Sequence, residues 1–119
     1  MNTRGHILSL GIRIIKIDEF FDRGIQDVMA ESMEIVGENQ TYVSYDIDFV
    51  DPTFAPGTGT PEVGGPNSFQ ALQVVRELKG LNIVGADMVE VSPPFDATGN
   101  TAFLGASIMF EILCQMVNS

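Results

Sequence analysis

The feature that most constrains the fold is a repeated switch of hydrophobic period along 119 residues. Ile12 to Ile17 (IRIIKI) is a short β-branched run and predicts a strand. Phe20, Phe21, Ile25, Val28, Met29 and Met33 then recur at helical spacing, with Asp18 available as a cap. Gly24 lies inside that pattern and predicts a short first turn, a break, and a helix to about Val36 that Gly37 ends. Thr41 to Val50 predicts a second strand, followed by a loop rich in Pro and Gly. Asn67 or Ser68 caps a helix expected to reach Lys79, with Phe69, Leu72, Val75 and Leu78 on its apolar face and Gly80 at its end. Asn82 to Ser92 predicts a third strand, stopped by Pro93 and Pro94. Asn100 or Thr101 opens a final helix to about Val117, apolar almost all round, as expected for a helix packed between layers. Strand–helix alternation of this kind implies parallel strands joined by right-handed crossovers in a layered α/β sheet. No internal repeat, low-complexity tract or linker divides the chain, so one domain is expected.

Strands of a parallel sheet are covered on both faces and read as continuous apolar runs. The stretch Ser44 to Gly65 (SYDIDFVDPTFAPGTGTPEVGG) departs from that rule, with Asp46, Asp48 and Asp51 inside six positions. Residues two apart on a strand share a face, so Asp46 and Asp48 are expected side by side. Two such carboxylates repel each other and stay ionised most easily around a cation, for which one or two metal ions are the obvious candidates; solvated strand-end residues are the alternative. Glu90 falls in the last residues of the third strand. In open α/β sheets ligands bind beyond the carboxyl ends of the strands, and three carboxylates converge on that rim. Asp51 precedes Pro52 and is better suited to capping the turn than to ligation. Asp87 and Glu62 read as exposed polar residues, and Gly57 and Gly59 as sites where the backbone turns sharply rather than as a phosphate loop.

Charge and cysteine usage narrow the partners. Sixteen acidic against six basic residues give a net charge of −10, which disfavours nucleic acid and anionic membrane and favours cations. The longest apolar segment, Ala102 to Val117, is interrupted by Ser107, Glu111 and Gln115 and reads as a buried helix rather than a span. Cys114 is the single cysteine, so no intramolecular disulfide forms and the cytoplasm is the default compartment. With one histidine, His6, neither a zinc cluster nor a serine triad is readily assembled.

Several runs together resemble the C-terminal signature of the ureohydrolases, the arginase/agmatinase family. They are Ser44 to Asp48 with Asp51-Pro52, Pro56 to Glu62 with Gly64-Gly65, Gly80 to Asp87, Val89 to Asp96, and Gly99 to Ala102. The resemblance covers about Gly11 to Val117. The Pro56 to Glu62 run is closer to the agmatinase branch than to the arginases. The Ser92 to Asp96 run and the ending Met109 to Cys114 lean toward guanidinobutyrase and proclavaminate amidinohydrolase. The resemblance implies a three-layer αβα fold with a parallel sheet, here a partial version with about three strands and three helices. It implies that Asp46 bridges two Mn²⁺ ions, that Asp48 binds one of them, and that Glu90 receives the substrate guanidinium. Hard oxygen ligands suit Mn²⁺. Two metals sharing a water make hydroxide available at neutral pH for attack on the guanidinium carbon, giving urea and an amine.

The departures from the family pattern set further expectations. The family's remaining ligands come from a Gly-Gly-Asp-His segment and an Asp-Ala-His-x-Asp segment, and neither occurs here. Residues 1–119 are therefore expected to form the C-terminal part of one ureohydrolase-like domain, with little or no activity as an isolated chain. The substrate is expected to be a small guanidino compound such as agmatine or guanidinobutyrate, and the intact family member a homo-oligomer. A different class of reading is a non-catalytic module that joins full-length relatives through an unpaired sheet edge. In the family's strand order Ile12 to Ile17 has no neighbour in this chain to pair with.

Overall fold

A computed structural model describes residues 11–117. Four helices and a two-stranded parallel sheet follow one another as α1 (Ile17–Arg23), α2 (Ile25–Val36), β1 (Thr41–Asp46), α3 (Ser68–Arg76), β2 (Ile83–Val89) and α4 (Asn100–Val117). Single 3₁₀ turns follow each strand, at Ile47–Phe49 and Pro93–Phe95. This is a partial αβα arrangement, in keeping with the expected class.

Its element count differs from the expectation at the front of the chain. Residues 12–16 form no strand, because β1 and β2 pair only with each other and no third ladder reaches the IRIIK run. That run is instead fastened by ions. The Arg13 guanidinium binds Glu31 at 2.7 Å and also reaches Glu19, while Arg23 binds Glu19 and Glu31 at 2.8 Å and Asp27 at 2.6 Å. Helix α1 starts after Lys16 with no side-chain cap, so Asp18 lies inside the first turn. Gly24 does break the helical pattern. Its φ of 87° is open to glycine at little cost, and it separates α1 from α2.

The sheet buries one face. Val43, Tyr45, Ala86 and Met88 pack with Ala71 and Val75 of α3 and with Leu104, Ile108 and Ile112 of α4. Ile47, Val50, Val75, Ala71 and Ile108 are almost wholly inaccessible to solvent. Helix α3 begins with a complete capping box, in which Asn67 Oδ1 accepts from the Gln70 amide and Gln70 Oε1 accepts from the Asn67 amide. It ends at Arg76, three residues earlier than expected, and two turn-type bonds (Leu78 N–H to Val75 O, Leu81 N–H to Leu78 O) lead into β2.

Helix α4 is long and apolar enough to cross a membrane by length and composition alone, a test that core helices also pass. It is not covered all round. Thr101, Leu104, Gly105, Ile108 and Ile112 are buried, whereas Phe103 (77%), Phe110 (65%) and Leu113 (54%) are exposed. Among the described residues it packs mainly against α3 and β2.

Candidate functional site

The rim at the carboxyl ends of β1 and β2 gathers three of the four carboxylates singled out in the sequence. Asp46 is the last residue of β1, and its Oδ1 accepts from the Asp48 amide at 3.0 Å. That bond tightens the chain into the 3₁₀ turn, so the strand stops four residues before the expected Val50. Asp and Asn side chains compete with the ladder for backbone donors in this way. Asp48 therefore stands in the turn, not two places along a continuing strand. Its Oδ2 accepts a hydrogen bond from Thr60 Oγ1 at 2.8 Å.

Glu90 follows β2 directly and is exposed. Its φ of 70° makes it the one non-glycine residue at positive φ among the described residues. Such a conformation costs on the order of 1–2 kcal/mol and concentrates at functional positions. Glu90 lies at the end of β2, and its charge is felt by the Asp46 carboxyl.

Electrostatics tie the three together. Burial is the largest cause raising the Asp46 carboxyl above its ordinary range, with the carboxyls of Asp48 and Glu90 adding to it and the Asp48 amide opposing it. Among the described residues no Lys or Arg forms an ion pair with any of the three. No group of three or more His, Cys, Asp and Glu side chains is spaced to hold a metal ion by itself among those residues. Glu90 thus acts on Asp46 through its charge, and hard carboxylate oxygens such as those of Asp46 and Asp48 are of the type that suits a cation. The residues present fit part of such a site. His6 lies outside the described residues.

The neighbouring loops are rigidly held. Asp51 Oδ1 accepts from the Thr53 amide and Oδ2 from the Gly64 amide, both at 2.9 Å, which lowers its pKa and assigns it the turn-capping role expected of it. Gly57 sits where a Cβ would lie 2.6 Å from the Asp96 Cβ and 2.8 Å from Thr101 Oγ1. Its amide donates to Thr101 Oγ1, and its carbonyl accepts from the Ser92 amide, both at 2.8 Å. The loop after β1 is thereby bolted to the loop after β2 and to the start of α4. Asp96 completes the junction by accepting from the Ala102 and Thr101 amides at 2.9 and 3.0 Å, and those two bonds lower its pKa, Ala102 more than Thr101.

Two threonines of this loop were not singled out from the sequence. Thr60 holds Asp48, and Thr58 is 3% exposed with a hydroxyl that has no partner among the described residues. The available signal was a Thr-Gly-Thr run twelve residues beyond a carboxylate pair, which reads as ordinary turn composition until the loop is seen folding back.

Comparison with known proteins places this chain in a family. Residues 2–114 match the Arginase family. The chain is 57% identical over 109 residues to the guanidinopropionase of Pseudomonas aeruginosa, covering 92% of this chain and 34% of that protein. It is 48% identical over 106 residues to the guanidinobutyrase of the same organism, covering 89% of this chain and 33% of the relative. The chain spans about a third of the length of these relatives. The structure of proclavaminate amidino hydrolase from Streptomyces clavuligerus superposes with a TM-score of 0.94 at 40% identity, over 99% of this chain and 39% of that one. With its family signature matched over nearly all of its length and its backbone superposed on a solved relative, this chain belongs to the arginase family.

Proposed function

We propose that residues 1–119 form the C-terminal part of a single hydrolase domain that cleaves a guanidino group to urea and an amine. Agmatine, guanidinobutyrate and related guanidino acids are the substrate class, the last suggested by the name of the guanidinopropionase relative. The observation that carries the reading is the half-buried Asp46 carboxylate, which faces Asp48 and Glu90 with no protein cation paired to them among the described residues.

In this reading Asp46 would bridge two Mn²⁺ ions and Asp48 would bind one of them, with Thr60 fixing the Asp48 carboxylate by its hydrogen bond. When bound, such an ion pair supplies a water acidic enough to act as a nucleophile near neutral pH. Glu90 accepts N–H groups of the planar guanidinium, and a charge-assisted, paired contact of that kind fixes the carbon in line for attack. The Asp48 amide, donating to Asp46 Oδ1 at 3.0 Å, holds the Asp46 carboxylate in place.

Two metal-binding carboxylates are an incomplete ligand set, so the isolated chain is expected to bind Mn²⁺ weakly and to turn over slowly or not at all. The test is urea release from agmatine, 4-guanidinobutyrate and 3-guanidinopropionate in excess Mn²⁺, with bound metal counted on the same samples. Turnover by the isolated chain with about two metals bound would overturn the incomplete-site reading. A cytoplasmic parent enzyme that avoids nucleic acid and membranes is the setting that the acidic composition and the single cysteine favour, and the family resemblance adds homo-oligomeric assembly of the intact enzyme.

One observation favours the interaction-module reading. The outer edges of β1 and β2 are both unpaired among the described residues, and a groove of about 310 Å³ runs beside β2, walled by Ala86, Met109, Ile112 and Leu113. Size-exclusion of the chain alone and mixed with a complete relative decides it. Co-elution supports the module, and a stable monomer in both runs removes it.

A further inference from the structure

The face of the sheet turned away from the core carries a hydrogen-bonded group outside the candidate site. Tyr42 Oη donates to Asp87 Oδ2 at 2.9 Å, and Ser44 Oγ donates to Asp87 Oδ1 at 2.6 Å. The register makes this a link across the two strands, because Tyr42 lies opposite Gly85, Ser44 opposite Asp87 and Asp46 opposite Val89. Gly85 is part of the arrangement. A Cβ there would meet the Tyr42 ring at 2.9 Å, so only glycine lets the ring lie flat enough for its hydroxyl to reach Asp87. Both Asp87 oxygens are engaged by donors from β1, which sets Asp87 apart from a carboxylate waiting for a metal.

The position of this link gives it a purpose. Ser44 is two residues before Asp46, and Asp87 is three before Glu90. The ends of the two strands carry carboxylates that repel one another, and no third strand on either side braces them among the described residues. A sheet of two strands is marginal by itself. Hydroxyl-to-carboxylate bonds are stronger than neutral ones and resist sliding of one strand along the other. We propose that Asp87, held by Tyr42 and Ser44, is a positioning residue that fixes the distance between the Asp46–Asp48 turn and Glu90, and through it the cation affinity of the rim. The proposal rests on the reading of Asp46 and Asp48 as cation ligands.

The test measures Mn²⁺ itself, as free-ion EPR signal during titration of the full chain, alongside the thermal midpoint. The variants are Asp46→Asn, Asp87→Asn, Tyr42→Phe, Ser44→Ala and Ser44→Thr. Asp46→Asn should abolish saturable binding. Asp87→Asn should weaken binding about tenfold, because the Tyr42 and Ser44 hydroxyls lose their charged acceptor and the brace between the strands loosens. Tyr42→Phe, which removes one oxygen from an exposed side chain and cannot prevent folding, should weaken it about threefold, and Ser44→Thr should bind as tightly as the parent where Ser44→Ala does not. If Asp46→Asn abolishes binding while Asp87→Asn and Tyr42→Phe lower the midpoint without moving affinity, the positioning role is overturned and the ligand reading stands. If the parent chain binds no better than Asp46→Asn, both fail together.

Discussion

Glu90 stores backbone strain where the guanidinium is proposed to bind, and substitution separates its side chain from its backbone. Glu90→Ala keeps the Cβ that makes φ 70° unfavourable, whereas Glu90→Gly removes it. Glu90→Gly should therefore be more stable than Glu90→Ala by about 1 kcal/mol in urea unfolding, and equal stabilities would mean that the kink relaxes on substitution. Asp46 carries a second cost. Its folded pKa lies above the unfolded one, so the folded chain holds the extra proton between the two values and stability falls as pH rises through that interval. Asp46→Asn keeps an acceptor for the Asp48 amide and removes the charge. In EDTA at pH 7 it should gain ~0.5 kcal/mol, a figure discounted for solvent screening, and at pH 3.5 it should gain nothing. A loss at pH 7 would contradict burial as the dominant cause. Asp96 runs the opposite way. Its folded pKa is lowered by the Ala102 and Thr101 amides, so its contribution is present above the ordinary carboxylate range and fades as pH falls through the folded value. Asp96→Ala should unfold more readily at pH 7, with the gap from the parent closing in acid.

Some helix boundaries were legible in the sequence through a local rule, although Asp18 does not cap α1 and α3 ends at Arg76, short of Gly80. Asn67 with Gln70 three residues on is such a rule, and Asn67→Ala should cost about 1 kcal/mol and lower the thermal midpoint by several degrees. Gly24 and Gly37 broke and ended their helices where the period of Phe20, Val28 and Met33 required it. The strand over Ile12 to Ile17 was misread because β-branched composition records suitability for a sheet, while a strand needs a partner. Arg13 found Glu31 and Glu19 instead. The premature end of β1 had no periodic signature, since it comes from one side chain, Asp46, bonding the amide two residues ahead. The rim itself was readable as carboxylates at two strand ends. The Thr60 hydroxyl on Asp48 was not, because a twelve-residue loop has to close before the two meet. Helix α4 was legible as a helix but not as one with a bare face, for composition says nothing about which layers surround it.

At the scale of the molecule, one core carries nearly everything. Ile108 is wholly buried between the sheet and α3, and Ile108→Ala should cost about 2–5 kcal/mol, enough to unfold much of a domain this small. The exposed Phe103 and Phe110 work against solubility, while a charge of −10 keeps copies apart. Added salt should promote self-association, and Phe110→Glu should suppress it in sedimentation velocity at high salt. The junction at Gly57 has a consequence on another axis, that of exchange with solvent. Its amide donates to Thr101, 44 residues away, and its carbonyl holds the Ser92 amide, so neither bond can open unless the loop lifts off α4 and the β2 loop together. Loop amides ordinarily trade their protons for deuterons within the dead time of the measurement. Those of Gly57 and Ser92 should instead exchange alongside the slowest amides of β1 and α4, marking a loop that opens only when the whole molecule does.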